Sequence, residues 1–258
     1  MNITFPEISF LNYKSPSQRV RVLSELWMKN EMYCPVCGFD KLEKFPNNSK
    51  IGDFYCQNCR EIYELKSKGR SIGKSILDGA YHTAVERVTS KTNPNLFVMR
   101  YDKKVIESLT LVPKYFFTPD ILKLRHELSQ RARRAGYVGS WIMYGDIPVQ
   151  GKIAVIEAHK EIDKQIVMKN YMQAVKLKTE DMTLRGWLME VLQCVNKIGD
   201  EIFSTGDIYA FAGELALKHS DNHNVKAKIR QQLQILRDKG FLEFLGNGKY
   251  RRDRKSVV

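Results

Sequence analysis

Three observations predict an α/β domain followed by a smaller helical domain that closes with a β-hairpin. Short apolar runs such as Leu96-Phe97-Val98-Met99 alternate with helical patterns through the first two thirds of the chain. Two Cys-x-x-Cys pairs, Cys34/Cys37 and Cys56/Cys59, stand eighteen residues apart near the start. After residue 182 the grammar changes to helices and then a hairpin with a Gly246-Asn247-Gly248 turn and the basic strand Lys249-Tyr250-Arg251-Arg252. A chain of 258 residues has room for two domains, and the division is expected as 1–182 and 183–258.

The formal net charge of +13 calls for a polyanionic partner. Nucleic acid fits better than a membrane, because no apolar run approaches the roughly 18 residues a spanning helix needs. The first residues lack the charged-then-apolar pattern of a secretion signal, so the expected location is the cytoplasm. Thiols stay reduced there, and paired cysteines then point to metal. C-x₂-C-x₁₈-C-x₂-C is the spacing of a structural zinc site, with Cys34, Cys37, Cys56 and Cys59 filling all four positions. Cys194 falls on a later apolar helix face and reads as core. The five histidines form no metal-spaced pair.

Residues 15–30 read as an amphipathic helix with Val20, Leu23 and Trp27 on one stripe. Glu25 lies between those positions and is expected as a solvated carboxylate. Residues 62–67 read as a strand with Tyr63 and Leu65 on one face and Glu64 and Lys66 on the other. A turn that brings Asp53 beside that second face would gather two carboxylates and an ammonium. Two carboxylates attract a hard cation such as Mg²⁺, and a lysine beside it can orient or deprotonate the attacking water, or offset charge on phosphorus. Asp53 followed by Glu64-x-Lys66 resembles the PD-(D/E)XK nuclease superfamily, with Gly52-Asp53 where Pro-Asp often stands. The alternative is an exposed strand bearing a surface ion pair. The second cysteine pair lies between Asp53 and Glu64, so a metal there would fix the hairpin that carries them.

Residues 66–74 form a loop rich in glycine and cations. In 76–90, Ile76, Ala80, Ala84 and Val88 recur at helical spacing. Strands are expected at 96–99, 108–112, 141–144 and 153–156, and a helix at 162–178. Between them, Arg131, Arg133 and Arg134 crowd against Tyr137 and Trp141, a pattern suited to phosphates and bases. Beyond residue 183, helices are expected at 184–198, 207–218 (with Thr205 as N-cap) and 224–239, the last ending at Gly240. Three helices and a basic hairpin make a winged helix. Its third helix would present Asn224, Lys226, Lys228, Gln231 and Gln234 to a DNA groove, with Lys249 and Arg251 on the wing.

Six stretches carry a closer likeness: Tyr33-Cys34-Pro35-x-Cys37-Gly38, Asp53-Phe54-Tyr55-Cys56-x-x-Cys59, Glu64-Leu65-Lys66-Ser67-Lys68, Asp78-Gly79-Ala80-Tyr81, Ala132-Arg133-Arg134-Ala135-Gly136 and residues 229–239. Together they resemble the DpnI-like methyl-directed restriction endonucleases. The resemblance implies a restriction-endonuclease-like PD-(D/E)XK core with an embedded four-cysteine zinc site, then a winged-helix DNA-binding domain. It implies a monomeric type II enzyme that cuts double-stranded DNA at GATC sites carrying N6-methyladenine. Asp53, Glu64 and Lys66 would be catalytic, with Mg²⁺ held by Asp53, Glu64 and the Leu65 carbonyl. One departure is Tyr137, where the family has tryptophan. A non-catalytic reader of methylated DNA and a structure-specific nuclease are the competing readings.

Overall fold

The computed structural model describes residues 1–7, 15–47 and 49–252; the last six residues assigned above to the winged helix lie outside them. Helix α1 (Pro16–Glu31) precedes the short strands β1 (Glu43–Lys44) and β2 (Phe54–Tyr55) and the long strand β3 (Ile62–Gly69). There follow β4 (Ile76–Ala80), α2 (Tyr81–Thr89), β5 (Asn95–Asp102), β6 (Val105–Val112), β7 (Leu122–Leu124), β8 (Gly139–Ile142), β9 (Ile153–Glu157), β10 (Lys160–Glu161) and α3 (Lys164–Val175). The central sheet has seven strands in the order β1-β2-β3-β5-β6-β9-β10.

Its one parallel pair is β3 with β5, in which Glu64 lies opposite Leu96 and Lys66 opposite Val98. Parallel neighbours need a crossover, and β4 with α2 supplies it. Successive residues from Asn95 to Met99 are all buried, so β5 is covered on both faces. That explains why its sequence is a continuous apolar run and not an alternation. Helix α3 packs on β9 and α1 on β3.

A second sheet, β4-β8-β7, stands apart from the first. It corrects two expectations. Residues 76–80 are a strand, and only 81–89 are helical. Ile76 to Ala80 pairs antiparallel with Gly139 to Ile142, and backbone pairing overrides the helical spacing of Ile76 and Ala80. The strand expected at 141–144 falls at Gly139–Ile142 and pairs within this small sheet.

The C-terminal part comprises α4 (Met182–Lys197), β11 (Ile202–Ser204), α5 (Thr205–Tyr209), α6 (Ala212–Lys218), α7 (Val225–Asp238), β12 (Leu242–Gly246) and β13 (Lys249–Arg252). The N-cap of α5 is Ser204 and not Thr205. Its hydroxyl accepts from the Asp207 N–H while the Asp207 carboxylate accepts from the Ser204 N–H, a reciprocal capping box. The helix expected at 207–218 is broken at Phe211, which leaves helical dihedrals and lies beneath the Lys197 ammonium at 5.6 Å. Helix α7 buries Ile229, Leu233 and Leu236, together with Gln232. Gly246, Asn247 and Gly248 all adopt positive φ (89°, 48° and 71°), which is why this hairpin turn is built of glycine and asparagine. Gln150 and Asn196 exchange amide hydrogen bonds of 3.1 and 2.9 Å and tie α4 to the segment before β9.

Candidate active site

Strand β3 organises the site through its alternation. Tyr63 points inward, fully buried and stacked on Phe97 with centroids 5.2 Å apart. Glu64 and Lys66 point to the other face, half-buried. Asp53 joins them because the chain at Gly52 hugs β3. A Cβ on Gly52 would fall 2.5 Å from Ile62 Cγ2 and 3.1 Å from the Tyr63 carbonyl, a space no other residue fits. From there the Asp53 N–H donates to the Tyr63 carbonyl at 2.9 Å, and Asp53 Oδ2 accepts from the Leu65 N–H at 2.8 Å. The turn needed to bring Asp53 to the Glu64 face is therefore present.

The charges at this point are already paired. Lys66 Nζ lies 2.6 Å from Glu64 Oε1 and 2.7 Å from Asp78 Oδ1, and Arg87 Nη1 lies 2.8 Å from Glu64 Oε2. Burial disfavours the Lys66 ammonium, but Glu64 and Asp78 outweigh it and raise its pKa, so Lys66 keeps its proton. Burial likewise works against the Asp78 carboxylate, yet Lys66, the Gly79 N–H and Arg87 hold it below the ordinary value. Asp53 goes the other way. Burial, with the charges of Glu64 and Glu25, pushes its carboxyl up, and the Leu65 N–H and Lys66 offset this only in part.

Asp78 and Arg87 were not singled out from sequence. Asp78 lay within a family-like stretch, but a helix through 76–90 gave it no path to Lys66. Glu25 is also corrected. It is buried, with Lys44 Nζ at 2.7 Å and Arg21 Nε at 3.5 Å, because α1 packs its flank against β1 and β3. Beside it a cavity of about 500 Å³ opens between α1 and β3, with Lys66, Tyr101 and Trp141 in its wall.

The four thiols converge as the spacing requires. Cys34, Cys37, Cys56 and Cys59 have sulfurs within 4.8 Å of one another, including pairs at 3.5 and 3.6 Å. A tetrahedral Zn–S₄ centre has S···S edges of roughly 3.8 Å, so this cluster fits a thiophilic metal ion. Each knuckle is held by its own backbone, with Gly38 N–H bonded to the Cys34 carbonyl and Arg60 N–H to the Cys56 carbonyl. Tyr63 donates its hydroxyl to Cys34 Sγ at 3.0 Å, which links the cluster to the inner face of β3. Cys194 is buried in the core, far along the chain from this group.

The expected DNA contacts fall on two separate surfaces. Arg133 and Arg134 are exposed on the irregular hairpin extension between β7 and β8. Tyr137 is half-buried there with the Arg134 guanidinium 4.2 Å over its ring. Trp141 is drawn away from this loop, under Arg125 at 5.2 Å and into the cavity wall near Lys66. On the C-terminal part, Asn224, Lys226, Gln231 and Gln234 are exposed on or just before α7, and Lys228 is half-buried. Lys226 lies over the Tyr209 ring at 5.3 Å, and Arg230 donates to the Tyr209 hydroxyl at 2.7 Å. On the wing Lys249 is exposed, whereas Arg251 is paired with Glu243 at 3.0 Å across the hairpin.

A restriction-endonuclease-like α/β core joined to a winged helix-turn-helix defines a two-domain DNA-binding protein of the nuclease class. Residues 1–180 match the Dam-replacing family (DpnI), and residues 183–252 match the Dam-replacing HTH domain (DpnI_C). The chain therefore belongs to the DpnI, or Dam-replacing, family. Membership points to a restriction endonuclease and to methyl-directed DNA cleavage. Among the described residues no helix is long and apolar enough to cross a membrane.

Proposed function

We propose that this protein is a type II, Mg²⁺-dependent deoxyribonuclease that cuts double-stranded DNA at GATC sites bearing N6-methyladenine. The observation that carries the reading is the convergence of Asp53, Glu64 and Lys66 on one face of the β2–β3 hairpin. Asp53, Glu64 and the Leu65 carbonyl are the oxygen donors suited to a hard divalent cation, and the four thiolates are suited to zinc in a structural role. A divalent cation held there would supply a Lewis acid for the scissile phosphate and would lower the pKa of the attacking water. Lys66 would position or activate that water and offset the negative charge growing on phosphorus. Asp53 is held against β3 by the Tyr63 carbonyl and the Leu65 N–H, and Glu64 belongs to that strand. The expected products carry 5′-phosphate and 3′-hydroxyl ends.

Two surfaces would read the DNA: the Arg133-Arg134-Tyr137 loop, and α7 with Asn224, Gln231 and Gln234, supported by Lys226, Lys228, Lys249 and Arg251. One methyl group in an apolar pocket gives only about 1–3 kcal/mol of discrimination, so engaging both readers before cleavage would multiply two modest preferences. The working unit is a monomer with a catalytic domain at 1–182 and a winged helix at 183–258, acting in the cytoplasm. The test is incubation of purified protein with adenine-methylated and unmethylated plasmid, with and without Mg²⁺. Fragments only from methylated plasmid in Mg²⁺ are expected. Cleavage of both plasmids would remove the methyl-directed reading, and cleavage of neither would leave a reader of methylated DNA.

A further inference from the structure

We propose that Asp78 is a positioning residue whose task is to draw the Lys66 ammonium off Glu64 when a divalent cation binds. The inference rests on the proposed role of Glu64 as a metal ligand. Both oxygens of that ligand are already taken by cations, Oε1 by Lys66 at 2.6 Å and Oε2 by Arg87 at 2.8 Å. A dication and an ammonium on one carboxylate oxygen repel each other strongly at this range. Binding therefore requires Lys66 to shift without leaving the centre where it is needed.

Asp78 offers that second position. Its Oδ1 lies 2.7 Å from Lys66 Nζ, and it is the other carboxylate that pairs with Lys66 among the described residues. It comes from a different sheet, so its position does not depend on the β2–β3 hairpin. Asp78 pairs with Ser140 of β8 at a register shift between Asp78 and Ala80, and such irregularities re-aim a side chain. The Ser140 hydroxyl donates to the Gly79 carbonyl at 3.0 Å and pins that bend. Arg87 is braced in the same way, with Nη2 donating to the Ile51 carbonyl at 3.1 Å while Nη1 holds Glu64 Oε2. One cation thus stays fixed on Glu64 and the other has somewhere to go. Without the Asp78 charge, Lys66 would have Glu64 alone and would compete with the metal as an internal cation.

The test is calorimetric titration of the full chain with Mg²⁺ in the absence of DNA, as a double-mutant cycle. Asp78→Asn keeps the side chain's shape and removes its charge. In the protein with Lys66 it should weaken Mg²⁺ binding by about tenfold, an ordinary size for coupling through one charged contact. In a Lys66→Met background the same substitution should change binding by less than about twofold, because the internal competitor is gone. Asp78→Glu, which keeps the charge, should recover most of the affinity. Unchanged Mg²⁺ affinity in Asp78→Asn would overturn the proposal, and so would equal weakening in both backgrounds, which would make Asp78 a direct ligand. Absence of Mg²⁺ binding that depends on Asp53 would instead remove the proposed metal centre, and this inference with it.

Discussion

The two functional regions treat their charges in opposite ways. Around β3, Glu64, Lys66, Asp78 and Arg87 are paired with one another and half-buried before any ligand arrives. On α7 and the wing, Asn224, Gln231, Gln234 and Lys249 face solvent. The first region is a preorganised centre whose members are costly to separate. The second is an open surface whose donors wait for phosphate and base edges. Substitutions in the centre should therefore change chemistry sharply and leave binding alone, while those on the open surface should change binding in small, separable steps.

The largest break is expected at the thiol cluster. Structural zinc in small sites supplies on the order of 10 kcal/mol, so Cys56→Ser should abolish cleavage and leave the protein without bound metal by elemental analysis. A fully active, metal-free Cys56→Ser protein would dismiss the site. Lys66→Ala follows. Cleavage of methylated DNA should fall by about 10³-fold, the scale of losing one donor to developing charge, with DNA affinity little changed. Comparable losses of binding and cleavage would erase the distinction between the two regions.

Gln231→Ala tests the open surface. If Gln231 reads a base edge, specific affinity should drop by about 1–3 kcal/mol while nonspecific affinity stays constant. Asp53→Asn sharpens the contrast through stability. Asp53 has a pKa raised by folding, so its favourable contribution exists below the ordinary aspartate range and is lost as pH rises through the raised value. Above the ordinary aspartate range, burial of Asp53 costs stability in Mg²⁺-free, zinc-loaded protein, and Asp53→Asn should raise Tm at neutral pH and change it little in acid. A lower Tm at neutral pH would contradict the burial argument. The smallest effect belongs to Lys249→Ala, which should reduce the salt dependence of DNA binding by about one unit of slope and leave sequence preference intact.

Much of this was legible because it is local. Glu64 and Lys66 share a face by strand alternation, the knuckles follow from Cys-x-x-Cys, and α7 shows its buried stripe at Ile229, Leu233 and Leu236. What was hidden is non-local. Residues 76–80 satisfy helical spacing, and only pairing with Gly139 to Ile142, some sixty residues on, makes them a strand. That pairing delivers Asp78 to Lys66, so the strand and the Asp78–Lys66 ion pair both follow from one long-range contact. Glu25 was misjudged for a related reason. Its burial depends on Lys44 and on the flank of the sheet, neither of which lies on its own helix.

The placement of Tyr63 between Cys34 and Phe97 also sets how this gene segment can change length. Within β3, Tyr63 turns to the thiol cluster and core while Glu64 and Lys66 turn to the charged centre. A single-residue insertion or deletion at Ile62 would exchange the two faces, sending Glu64 and Lys66 into the apolar interior and Tyr63 toward solvent. Length variation should therefore be tolerated in stretches such as residues 70–75 and excluded from β3. Screens of random single-codon insertions should find viable variants at 70–75 and none within 62–66.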